Sequence, residues 1–204
     1  MDRYLDLAAL MLSVPIIMAA APRSYFPPDY ARRSFTCSAE SQPHPFLSEF
    51  EQEWFARNLR AAREAPLYDP SHRPTDNRVI RFTWLGSFHP PIVVRLIEGR
   101  HGWHMVGKRL SGRGGYDPGT IGEIVDRPLR QNEAKELESL LVRSVLPDLS
   151  GDCVIGLDGA QWIIERTDQK GYHFINRWSP TDGPVHQIGL FALKLTGWRV
   201  GPVY

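Results

Sequence analysis

The sequence predicts an α+β fold with an antiparallel sheet of about six strands and helices mainly on one face of that sheet. Two observations support this prediction. Helical and strand patterns occur in separate runs, in the order helix, four strands, helix, two-stranded hairpin, helix. The connections between the predicted strands carry Gly and Pro, as hairpin connections do.

The first helix is predicted to begin at Ser48 and to end before Pro66. Ser48 and Glu51 have the spacing of a capping box, in which each side chain binds a backbone N–H of the other residue. The apolar residues that follow lie near one stripe of the helix: Phe50, Trp54, Leu59 and Ala62.

The strands are predicted from segments rich in β-branched and aromatic residues. They are RVIRFTWL (78–85), PIVVRLI (91–97), GWHMVGKRL (102–110), the short edge strand IGEIVDRPL (121–129), and a hairpin of residues 161–167 and 172–178. Two further helices are predicted from apolar residues at helical spacing, one ending at Pro147 and one from Pro184 to Gly197.

The N-terminal segment 1–21 is typical of a secretory signal peptide. Its apolar stretch, Leu7 to Ala21, has 15 residues and ends in three alanines. A stretch of this length is short of the about 20 residues that a membrane-spanning helix needs, so no stable span is predicted in the mature form. The alternative is a buried N-terminal helix in a cytosolic structural protein. Residues 22–45 are rich in Pro and Ser and are predicted to form a linker before a single domain, 46–204.

The net charge indicates which classes of partner the sequence favours, and the cysteine content bears on the cellular compartment. The chain has 24 Lys and Arg against 23 Asp and Glu, a net charge of +1, so nucleic acid is not a predicted partner. In an exported protein, Cys37 and Cys153 could form one disulfide, whereas in a cytosolic protein they would be two unrelated thiols. The predicted location is periplasmic or secreted, and the alternative is cytoplasmic.

The sequence contains no complete motif for metal, cofactor or nucleophilic chemistry. His101 and His104 would point to opposite faces of a strand, and no cysteine cluster accompanies them. GRGGYDPG (112–119) lacks the lysine and the strand-loop-helix context of a phosphate-binding loop. We therefore predict no metal site and no cofactor.

The C-terminal hairpin carries the catalytic candidates Glu165, His173 and Asp158. Glu165 and His173 face each other if Arg166 pairs with Tyr172, but a tighter turn would place His173 opposite Arg166. In the first of these registers, Trp162, Phe174 and Trp178 would share an apolar face, and Glu165, His173 and Arg177 would share a polar one. The residues predicted to serve a binding surface are Trp84, His89, Arg95, Trp162, Arg177 and Trp178.

Three segments resemble a family of uncharacterised bacterial proteins. They are RFTWLGSFHPPIVVRL, GGYDPG and DGAQWIIERTDQKGYHFINRWSPTDGP, and the resemblance covers about residues 46–197. No established activity is associated with that family, so the resemblance implies a shared domain and no catalytic role.

Together these features predict an exported binding protein, of the inhibitor or immunity type, that acts on a partner protein without catalysis. The alternatives are a small hydrolase that uses Glu165 and His173, and the cytosolic structural protein described above.

Overall fold

The computed structural model of the protein describes residues 24–38, 42–69, 77–143, 152–154 and 156–203. The segment predicted as a signal peptide, 1–21, lies outside these residues. None of the helices in the described ranges is long and apolar enough to cross a membrane.

The described elements confirm the predicted α+β class and the predicted order of elements. They are β1 (Ser34–Thr36), β2 (Pro43–Pro45), α1 (Glu49–Ala61), β3 (Val79–Gly86), β4 (Ile92–Gly99), β5 (Gly102–Leu110), β6 (Ile121–Pro128), α2 (Gln131–Arg143), β7 (Ala160–Asp168), β8 (Gly171–Trp178) and α3 (Gly183–Thr196). β1 and β2 form a separate hairpin, and the other six strands form one antiparallel sheet in the order β6-β5-β4-β3-β7-β8. The predicted edge position of β6 is correct.

Strand β3 lies inside the sheet, and all of its residues are buried. Because successive side chains of a strand alternate in direction, Phe82 and Trp84 point to one face and Arg81 and Thr83 to the other. Helices α2 and α3 cover the first of these faces, which we call the α2–α3 face. The opposite face carries α1, and we call it the α1 face.

The Pro-rich segment that was predicted as a linker contributes side chains to the core on the α1 face. Phe26 and Tyr30 are buried there, and Phe26 packs against Phe55 and Phe174 while Tyr30 packs against Phe46. The aromatic rings of this segment bury apolar surface, so the segment packs on the fold although the regular structure described in it is limited to the short strands β1 and β2. Helices cover both faces of the sheet, with α2 and α3 on one face and α1 on the other.

The N-termini of α1 and α2 are both held by side chains of the kind expected at helix starts. The predicted capping box is present: the Ser48 hydroxyl accepts a hydrogen bond from the Glu51 N–H (3.2 Å), and the Glu51 carboxylate accepts one from the Ser48 N–H (2.9 Å). At the start of α2, the Glu133 carboxylate accepts a hydrogen bond from the Arg130 N–H (2.7 Å).

We expect Glu133 to make stability depend on acid. The Arg127 guanidinium donates to both carboxylate oxygens of Glu133, at 2.8 and 3.0 Å, and lowers the pKa of that group. Glu133 therefore stabilises the fold above its unfolded pKa, about 4.3, and this contribution is lost as pH falls through the lower folded pKa. Glu133→Gln should reduce the difference in melting temperature between neutral pH and about pH 3. An unchanged difference would contradict this expectation.

Candidate functional site

The hairpin of β7 and β8 adopts the tighter of the two registers. Thr167 pairs with Tyr172, Arg166 with His173 and Glu165 with Phe174, so that only Gln169 and Lys170 form the turn. Gly171, with a φ of 125°, follows this turn in a conformation that favours glycine. The loop between Asp168 and Gly171 thus has only two residues, and its length determines which side chains share a face.

This register corrects two sequence predictions. Paired residues share a face, so Glu165 lies with Phe174 on the α1 face, whereas His173 and Arg177 lie on the opposite one. The predicted common polar face of these three residues is wrong. For the same reason Trp162, which pairs with Arg177, does not share an apolar face with Trp178.

The catalytic candidates do not come together. Glu165 is fully buried, and both of its carboxylate oxygens bind the Arg81 guanidinium, at 2.7 and 2.8 Å. His173 lies on the other face of the sheet, and Asp158 is exposed before β7 begins. In the described ranges no group of three or more His, Cys, Asp or Glu side chains could hold a metal ion.

Glu165 instead belongs to a buried charge cluster on the α1 face. The members of this cluster are Glu64, Arg81, Arg95, Lys108 and Glu165. The Arg81 guanidinium also donates to the Ala65 carbonyl oxygen (2.7 Å), and the Lys108 ammonium donates to the Ala62 carbonyl oxygen (2.8 Å). The cluster therefore fastens the chain that leaves α1 to the middle of the sheet.

Tyr172 completes one side of this buried charge cluster. Its hydroxyl donates to a Glu165 carboxylate oxygen at 2.9 Å. Burial, together with the adjacent Glu165 carboxylate, raises the pKa of Tyr172 well above its usual value. The tyrosine consequently remains a neutral hydrogen-bond donor, and the arrangement is that of a packed structural network.

Four of the six predicted binding residues take part in packing or in an ion pair within the fold. Trp84 and Trp162 are buried on the α2–α3 face, where Trp162 packs against Phe82 with ring centres 5.4 Å apart. His89 lies beside Trp84, with ring centres 5.6 Å apart. Arg95 binds Glu64 at 3.2 Å in the buried charge cluster.

Arg177 and Trp178 end the hairpin on opposite faces of the sheet. The Arg177 guanidinium is half-buried and donates to the Asn176 carbonyl oxygen at 2.7 Å, and burial lowers its pKa. Of the six predicted binding residues, only Trp178 lines a cleft that described residues form on the α1 face.

That cleft lies on the α1 face, at the end of the sheet where β7 begins, and has a volume of about 560 Å³. Its walls come from β1 and β2, the start of α1, residues 115–116, residues 152–154 and residues 156–157. Aromatic side chains supply most of the apolar lining: Phe35, Phe46, Phe50, Trp54, Tyr116 and Trp178.

Two buried amides line the cleft from neighbouring strands. Gln161 on β7 is 8% exposed, and Asn176 on β8 is 3% exposed. The side-chain carbonyl oxygen of each accepts no hydrogen bond from the described part of the chain. A buried acceptor left without a donor costs about 1–3 kcal/mol, so these oxygens favour a ligand that brings donors.

The wall formed by residues 152–154 and 156–157 is fixed to the rest of the fold at two points. Cys153 is bonded to Cys37, which follows β1, and the Asp152 carboxylate accepts a hydrogen bond from the Trp178 N–H. The chain also crosses close to the Trp178 indole, because a Cβ atom at Gly156 would lie 2.1 Å from its Nε1. Only glycine permits this approach.

The rim of the cleft is unusually apolar for an exposed surface. Leu157 is 95% exposed, Phe50 75%, Val154 59% and Tyr116 57%. Tyr116 also contacts Phe88, which is 46% exposed, with ring centres 6.0 Å apart. A contiguous apolar patch of this kind is typical of a surface that another molecule covers.

The carboxylates that line the cleft make its charge negative. Glu51 and Asp152 line it, and no lysine or arginine is among the described lining residues. Sequence reasoning missed this site because its residues come from separate segments spread between β1 and β8. Phe50 was predicted only as part of the apolar stripe of α1.

No protein-family model, curated protein or solved structure matches this chain.

Proposed function

We propose that this is an exported protein that binds a partner protein without catalysing a reaction, as inhibitors and immunity proteins do. The cleft and its apolar rim form the binding surface. The observation that carries the proposal is the combination of an aromatic cleft of about 560 Å³ with an exposed apolar rim. Interfaces draw most of their energy from aromatic anchors and from groups that fill such pockets.

The disulfide supports the exported location. Disulfides persist in the periplasm and outside the cell, and are rare in the cytosol. The bond between Cys37 and Cys153 joins residues 116 positions apart, and it holds a wall of the cleft. Mass spectrometry of the native protein tests the location: free thiols and an intact Met1 in a cytoplasmic fraction would contradict it.

The hydrolase alternative receives less support from the geometry. A general base must reach its proton donor or a water molecule, but both oxygens of Glu165 are held by the buried Arg81. His173 points to the opposite face of the sheet.

The binding function is tested on the rim. Phe50→Ser and Tyr116→Ser remove exposed side chains, so neither variant should lose stability. We expect wild-type protein, cross-linked in an extract of its own compartment, to capture a specific partner that both variants lose at least about tenfold. The control is Val142→Ser on α2, because Val142 is 80% exposed and does not line the cleft. Equal capture by all four proteins, or no specific capture by wild type, would contradict the proposal.

A further inference from the structure

We propose that the cleft receives a primary ammonium group on an alkyl stem, supplied by a lysine side chain of the partner protein. This inference rests on the proposed function, because it specifies what the partner inserts. It depends on three features of the lining: the sign of its charges, the two buried amide oxygens and the aromatic walls.

The charges of the lining favour a cation. Glu51 and Asp152 are the acidic residues of the cleft, and the described lining has no lysine or arginine that would attract an anion. The Glu51 carboxylate accepts hydrogen bonds from Ser48, and the Asp152 carboxylate accepts them from the Val154 and Trp178 N–H groups. A carboxylate has about four acceptor sites, so each retains capacity for a ligand.

The buried amides favour a ligand rich in donors. The carbonyl oxygens of Gln161 and Asn176 accept no hydrogen bond from the described chain. Asn176 pairs with Ile163, which lies two residues from Gln161 on β7, so the two amide side chains stand on the same face of the sheet. An ammonium group has three donors and no acceptor, which matches two amide oxygens and a carboxylate. A carboxylate or phosphate ligand would add acceptors where acceptors already lack donors.

The aromatic walls favour an alkyl stem that ends in a positive charge. Trp54, Phe46 and Trp178 offer ring surface to an alkyl chain, and aromatic faces also attract a cation. The lysine side chain has this construction, with four methylene groups before its charged end. The planar guanidinium group of an arginine would instead pair best with both oxygens of one carboxylate.

The test uses n-hexylammonium as the probe, with 1-hexanol and hexanoate as neutral and anionic analogues of matched length. Each probe is titrated into the full protein while the indole and side-chain amide resonances of Trp54, Trp178, Gln161 and Asn176 are followed by NMR. We expect hexylammonium to shift these resonances and to bind at least about tenfold more tightly than hexanol. Hexanoate should bind more weakly than hexanol.

The matched variants separate charge from shape. Glu51→Gln with Asp152→Asn removes both charges and keeps one oxygen acceptor at each position. The glutamine oxygen can accept both Ser48 hydrogen bonds of the helix cap, and the asparagine oxygen can keep the Trp178 N–H contact while the contact with the Val154 N–H is given up. This variant should lose about tenfold in hexylammonium affinity and keep its hexanol affinity. Glu53→Gln is the control, since Glu53 lies on the same helix, is 69% exposed and does not line the cleft.

Three outcomes would overturn the inference: equal binding of hexanol and hexylammonium, tighter binding of hexanoate, or no shift of the cleft resonances by hexylammonium. Each leaves the rim experiment to decide the proposed function independently. Loss of partner capture by the rim variants together with equal binding of hexanol and hexylammonium would retain the binding surface and reject the ammonium ligand.

Discussion

Replacing Glu165 with Gln should lower the free energy of unfolding by about 3–5 kcal/mol, as breaking one side of a buried ion pair does. Arg81 is fully buried, and Glu165 is the partner that binds two of its guanidinium nitrogens. Without that carboxylate, Arg81 keeps the Ala65 carbonyl oxygen and the Glu64 carboxylate at 3.6 Å. These contacts cannot replace a bidentate pair in a site that excludes water.

Urea denaturation of the wild type and Glu165→Gln measures this effect, and an unchanged m-value would show that the two denatured states are comparable. The control is Glu53→Gln, which removes an Arg–Glu pair whose side chains are 43% and 69% exposed. A surface pair of this kind contributes about 0–1 kcal/mol. A loss for Glu165→Gln that is no larger than the control would show that the buried charge cluster does not hold the sheet.

The overall fold was predictable because the periodic spacing of apolar residues along the chain indicates its helices and strands. The alternation of RVIRFTWL and the helical spacing before Pro147 depend on local chain geometry, and the positions of β3 and α2 agree with them. Their connections are short, so an antiparallel order of most strands follows from chain continuity.

The register of the C-terminal hairpin could not be predicted with the same means. The sequence D-Q-K-G allows a loop of two or more residues, and a shift by one residue moves every side chain to the other face. The assignment of Glu165 depended on this choice. Its partner Arg81 is 84 positions away, and a charged residue in a strand pattern is ordinarily expected on the solvent side.

The cleft was beyond sequence reasoning for a related reason. Gln161 and Asn176 are ordinary polar residues in their strands, and nothing in the local sequence shows that α1, residues 152–154 and residues 156–157 enclose them. Trp178 was predicted as a binding residue on its type alone, and it lines this cleft. Trp84 and Trp162 were chosen on the same basis and lie in the core, because large aromatic side chains serve both roles.

Removing the disulfide should have an effect of similar size to the loss of Glu165. The bond between Cys37 and Cys153 closes a loop of 116 residues, and the loop-entropy relation gives about 5 kcal/mol for a loop of this length. The double variant Cys37→Ser with Cys153→Ser should therefore lower the free energy of unfolding by about 2–5 kcal/mol, the range seen when native disulfides are removed. Chemical denaturation of the oxidised wild type and the double variant measures the difference.

A reducing agent provides the control for this experiment. It should reproduce the loss in wild-type protein and leave the double variant unchanged, because the variant has no thiol left. If reduction changes the free energy of unfolding of wild type by less than about 1 kcal/mol, the bond does not constrain the unfolded chain as proposed.

The disulfide should also affect the cleft before it affects the fold as a whole. Cys153 lies between Asp152 and Val154, which both line the cleft, whereas the six-stranded sheet contains neither cysteine. Once the bond is lost, the hydrogen bond between Asp152 and the Trp178 N–H still holds this wall, but Cys153 is no longer tied to Cys37 after β1. We therefore expect the double variant, under conditions where it remains folded, to bind hexylammonium about tenfold more weakly than wild type. Equal affinity would mean that the glycine contacts with Trp178 are sufficient to position the wall.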